Sequence, residues 1–174
     1  GPLRQDGQPR RLVESDPGAE VLDEEGDGLA EVAVRRISDE PRPRIFGPYE
    51  KIRRDYLIEE FKRDVSAFNV VASIYMQANW APSRSLDEAR WVSEVGDESG
   101  MPNALVAFAD LCSPELGALL DADEKLPRVV GVRHQIHWHE NSNYAYVSIP
   151  NMYDDADWRR GLKELSRRDY PFDL

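Results

Sequence analysis

From Pro48 onward, runs of β-branched and aromatic residues alternate with capped amphipathic segments. They recur about every 25–40 residues, a rhythm that points to βαβ units and a parallel sheet. Residues 55–68 place Leu57, Phe61, Val65 and Phe68 at helical spacing, and residues 69–78 read as a buried strand. Ser85-Leu86-Asp87-Glu88 has the spacing of a capping box, opening a helix that should bury Ala89, Val92 and Val95 and end at Gly100. Residues 103–111 form the second predicted strand. Ser113 and Pro114 then suit the start of a helix with Leu116, Leu119 and Leu120 inward. A third strand is expected over 128–136. Asp154 or Asp155 should cap a helix carrying Trp158, Leu162 and Leu165, and residues 171–174 begin a further strand.

Residues 1–48 do not share this rhythm. They hold six of the eleven Gly and six of the twelve Pro, with no Trp or His, and are expected to be irregular apart from a short run at 29–37. The chain therefore divides into an amino segment, 1–48, and an α/β unit, 49–174. The whole chain carries 33 acidic against 22 basic residues, a net charge of −11, which argues against a nucleic-acid partner. No apolar run reaches membrane-spanning length, and no signal sequence is visible, so a cytoplasmic location is expected. The single cysteine, Cys112, excludes an internal disulfide. A parallel sheet that stops as a strand begins is read as part of a longer protein. Its exposed strand edges predict dimerisation or aggregation in isolation, hence a homo-oligomer.

In parallel α/β folds, ligands sit at the carboxyl ends of the strands. That rule selects Gln77 to Trp80, Asp110, and the stretch Arg133-His134-Gln135-Ile136-His137-Trp138-His139, which holds all three histidines. Strand alternation sharpens the selection. Val130, Val132 and Ile136 would face the helices, with Gly131, Arg133 and Gln135 inward. Val70, Ala72, Ile74 and Met76 would face the helices, with Ser73, Tyr75 and Gln77 inward. Phe108 and Asp110 would share the inward side. The expected result is a polar mouth of Gln77, Asp110, Arg133 and Gln135 above an apolar floor.

Three segments resemble the amidohydrolase-related proteins of the 2-pyrone-4,6-dicarboxylate lactonase type, in the metal-dependent hydrolase TIM-barrel superfamily. They are Asn69-Val-Val-Ala-Ser-Ile-Tyr-Met-Gln-Ala-Asn-Trp80, Ala107-Phe-Ala-Asp-Leu111 and Val130-Gly-Val-Arg-His-Gln-Ile-His-Trp-His139. Trp158-Arg-Arg-Gly-Leu162 and Pro171-Phe-Asp-Leu174 extend the likeness, which covers roughly residues 45–174. The resemblance implies a partial (β/α)8 TIM-type barrel, about half of it present here. It also implies hydrolysis of a C–O ester bond in a lactone or related carboxylated small molecule by water attack. Some members of the family use a divalent metal such as zinc and others use none. The His-x-His that opens the first barrel strand in the wider superfamily has no counterpart in residues 1–48.

Each candidate has two readings. An inward Arg133 suits a carboxylate bidentately, so it clamps an anionic substrate or pairs with an internal acid such as Asp110. Asp110 is the candidate general base, or it orients a neighbour or caps the next helix, three residues before Ser113. Gln77, His134 and Gln135 are candidate substrate contacts. Trp80 either lines the pocket or caps the sheet against the loop at 81–84. His137 and His139 are weak metal candidates, the favoured reading being neutral loop histidines. Two functions remain: a hydrolase of the amidohydrolase type, or a catalytically incomplete barrel fragment serving as a binding or interaction module.

Overall fold

The computed structural model describes residues 47–49 and 54–174. The expectations for residues 1–46 lie outside them. Among the described residues, four strands and three α-helices alternate after a short first helix. The order is α1 (Ile58–Asp64), β1 (Ile74–Met76), α2 (Ser85–Ser99), β2 (Ala104–Phe108), α3 (Leu116–Asp123), β3 (Val129–Arg133), α4 (Ala156–Arg167) and β4 (Phe172–Asp173). The four strands form one parallel sheet in the order β1-β2-β3-β4, as the alternation predicts. No helix of the described residues is long and apolar enough to cross a membrane.

The core lies between one face of this sheet and the helices. Leu105, Ala107, Ala109 and Leu111 of β2 and its extension are almost fully buried, against Ala89 and Val92 of α2, Leu116 and Leu120 of α3, and Trp158 and Leu165 of α4. Register carries the facing outward from β2. Tyr75 pairs with Leu105 and Val132 with Ala107, so both point toward the helices. Ile74 and Met76 align with Ala104 and Val106 on the opposite face, where Ile74 is 62% exposed. The expected facing of β1 is therefore reversed. In β3 the register slips between Leu105 and Val106, which pair with Val129 and Gly131, leaving Val130 as the extra residue. That bulge is why Val130 is exposed rather than packed on the helices.

Helix ends depart from expectation in two places. Ser85 and Glu88 make no capping box: Ser85 is already helical, and Glu88 is buried with its Oε1 accepting the Ala78 N–H and the Tyr75 hydroxyl. Ser113 takes the Glu115 N–H on its hydroxyl, and α3 starts only at Leu116. Elsewhere the caps agree. Gly100 closes α2 at φ +81°, and Asp155 accepts the N–H groups of Asp157 and Trp158 at the start of α4. The predicted first helix is shorter than residues 55–68 and buries none of its residues.

Two buried features test the packing. Gly161 lets α4 close onto the end of β2, since a Cβ there would collide with the Leu111 carbonyl. Gly161→Ala should lower unfolding stability by about 1–3 kcal/mol, read from the denaturant midpoint, because backbone cannot yield as a flexible side chain does. Asp123, at the end of α3, is buried with neither carboxylate oxygen hydrogen-bonded, and burial pushes its pKa up to about 7. The unfolded chain releases that proton near pH 4, so stability falls as pH rises from about 4 to 7, and the cost is complete above. Asp123→Asn should raise stability by roughly 2–4 kcal/mol at pH 8, and the gain should vanish below pH 4 in paired thermal melts.

Candidate functional site

The polar residues gather where β2 and β3 end. Burial alternates beyond Phe108, with Ala109 and Leu111 inside and Asp110 between them on the open face of the sheet. Asp110 Oδ1 accepts the Cys112 N–H at 2.9 Å, which pins the carboxylate in a tight turn. Its side chain is 46% exposed. His134 follows β3 directly and is buried. Its Nδ1 accepts the Leu111 N–H at 3.1 Å, which leaves the ring proton on Nε2, 3.8 Å from Asp110 Oδ1. The Phe108 ring meets the imidazole edge-on at 5.8 Å. Burial lowers the His134 pKa below its ordinary value, and the charge of Asp110 opposes that shift.

Arg133 aligns with Phe108 of β2 and Asp173 of β4, so it lies on the open face. Its Nε stands 2.9 Å from Asp173 Oδ2, an ion pair whose Nε–H makes no aligned hydrogen bond. The internal acid beside Arg133 is thus Asp173 rather than Asp110. Among the described residues its Nη groups have no partner, which leaves one edge of the guanidinium open. Gly131, two residues before Arg133, lies against the segment that leads into β4. A Cβ there would stand 2.8 Å from the Pro171 carbonyl oxygen, so the glycine admits the lead into β4.

Gln77 and Gln135 meet across the strand ends, Nε2 to Oε1, at 3.4 Å. The buried Gln77 amide is held from the other side by Asn79, whose N–H it accepts at 2.7 Å and whose Oδ1 it reaches at 3.1 Å. Asn79 adopts φ +58°, a left-handed conformation that asparagine tolerates. Trp80 stacks on Trp91 of α2 at 5.8 Å, which ties the end of β1 to that helix. Behind the sheet, Tyr75 donates to Glu88 at 2.9 Å, and burial together with this carboxylate pushes the phenol well up. Sequence reasoning missed Glu88 as a structural acid. The signal was present in the helical spacing of Ser85, Glu88, Ala89, Val92, Ser93 and Gly96, all of them buried.

His137 and His139 stand side by side with ring centroids 6.3 Å apart. His139 Nδ1 already accepts the Asn141 N–H at 2.9 Å, and its ring packs edge-on against Tyr144. No group of three or more His, Cys, Asp or Glu with metal-binding geometry occurs among the described residues. The donor set here does not fit the metal that some family members carry. Cys112 packs its sulfur 3.9 Å from that of Met152.

No family model matches the chain. An uncharacterized protein, y4mH, of Sinorhizobium fredii is 33% identical over 138 residues, 79% of this chain and 46% of the relative. An L-fucono-1,5-lactonase of Burkholderia multivorans is 30% identical over 123 residues, 71% of this chain and 38% of that protein. Two crystal structures of an amidohydrolase from Burkholderia multivorans, one with bound HEPES and one with bound zinc, superpose with TM-scores of 0.54 and 0.55. They are 28% and 29% identical and cover 71% of this chain and 39% of theirs. The chain thus spans less than half the length of the relatives it matches. Sequence likeness and backbone course each extend over about 71% of the chain and lead to the same group, so that over this span the chain is similar in sequence and in fold to the amidohydrolase-related proteins.

Proposed function

We propose that this chain forms part of a TIM-type barrel hydrolase that opens a C–O ester bond, in a lactone or related carboxylated small molecule, by water attack. The observation that carries the reading is the Arg133 guanidinium at a strand end, with one edge unpartnered among the described residues and on the same sheet face as Asp110. A carboxylated substrate would meet the open Nη edge, where the planar fork gives two charge-assisted hydrogen bonds. Gln77, buried and held by Asn79, fixes Gln135 through its Oε1, and the Gln135 amide N–H groups offer neutral donors to substrate oxygens. Asp110, half exposed and held at Oδ1 by a backbone N–H, keeps Oδ2 without a partner among the described residues, where it would take the proton of an attacking water. The likeness to a protein named as an L-fucono-1,5-lactonase supports the lactone class.

The test is hydrolysis of a panel of sugar 1,5-lactones and carboxylated lactones, followed by proton release with and without added divalent metal. Arg133→Ala should raise KM for carboxylated substrates roughly 10–100-fold, the loss of a charged hydrogen-bonded contact, while acting less on uncharged lactones. Turnover of no lactone would remove the hydrolase reading and leave a binding module. An unchanged KM in Arg133→Ala would remove the clamp.

A further inference from the structure

His134 makes contacts that packing alone does not require. Its side chain is buried just past the end of β3, edge-on to Phe108 at the end of β2. A hydrocarbon of that volume would fill the space but leave the Leu111 N–H without an acceptor, and Leu111 is fully buried. Accepting that N–H fixes the imidazole tautomer, because a nitrogen that accepts carries no proton. The proton then resides on Nε2, and Nε2 faces one particular oxygen, Asp110 Oδ1. The same oxygen takes the Cys112 N–H.

We propose that His134 is a positioning residue for Asp110: the Leu111 N–H locks it as the Nε2–H tautomer, and that N–H orients the carboxylate so that Oδ2 faces the mouth. The separation of 3.8 Å is beyond hydrogen-bond reach, so in the free protein the imidazole acts on Asp110 as a fixed dipole. A small turn of the carboxylate closes the bond when a ligand or water occupies Oδ2, and hydrogen bonds in catalytic sites commonly tighten in this way. The catalytic consequence rests on Asp110 acting as the base of the proposed hydrolysis. The tautomer and the coupling to Asp110 do not.

Nitrogen-15 NMR of the histidine-labelled chain, assigned with His134→Asn, separates the two levels. The expected result is a neutral Nε2–H tautomer for His134, whose Nε2 resonance shifts in Asp110→Asn. An Nδ1–H tautomer, or an Nε2 resonance that ignores Asp110→Asn, would overturn the proposal. The second arm uses His134→Asn, whose amide oxygen can still take the Leu111 N–H but which has no group in place of Nε2–H. On a lactone turned over by the parent chain, it should lose roughly tenfold or more in kcat with KM little changed and a melting temperature near the parent's. A parent-like kcat in this variant overturns the positioning role. If no lactone is turned over, the NMR result still decides the proposal, while the hydrolase reading fails separately.

Discussion

Burial of a single face of β2 is the constraint on which the rest of this structure depends. Leu105, Ala107, Ala109 and Leu111 are nearly inaccessible beneath three helices, and burying each leucine contributes about 1.5–3 kcal/mol. Because strand side chains alternate with a period of two, this burial also decides where the intervening residues go. Ala104, Val106, Phe108 and Asp110 must occupy the opposite face. The aim of Asp110 toward the strand-end mouth is therefore set first by the hydrophobic burial of its two neighbours, and the Cys112 N–H then holds the carboxylate there.

On that frame the polar groups are held chiefly by backbone. Leu111 N–H anchors His134, Cys112 N–H anchors Asp110, and Asn79 N–H anchors Gln77. Backbone donors at strand ends are fixed by the sheet itself, so side chains that use them inherit its rigidity without further ordering. Charge is treated differently on the two sides of the sheet. On the open side Arg133 and Asp173 pair where solvent reaches them. On the helix side Glu88 sits buried with a tyrosine hydroxyl and a backbone N–H, while Asp123 has neither and raises its pKa instead.

Much of this arrangement is legible in the amino-acid order. β2 and β3, with Phe108, Asp110 and Arg133 on one face, follow from alternation, and the Asp155 and Gly100 caps follow from local chemistry. β1 misleads because both of its alternating sets contain apolar residues, so periodicity cannot choose between Ile74 with Met76 and Tyr75 with its neighbours. The choice falls to Glu88, which offers the Tyr75 hydroxyl an acceptor on the helix side. Glu88 itself is masked by Ser85, three residues earlier, at a spacing that local rules read as a cap. Val130 misleads for another reason: a bulge changes the facing of a residue without changing the sequence pattern around it.

The sequence by itself determined the alternation of strands and helices, the parallel sheet, and the short list of polar residues that strand ends would carry. These are properties of neighbouring residues, set by side-chain period, capping and branching. Only the tertiary structure decided the partners: Asp173 rather than Asp110 beside Arg133, Leu111 N–H on His134, and Gln135 beside Gln77. Each of these pairs joins residues on different strands, so it depends on register, and register is settled by the packing of whole elements.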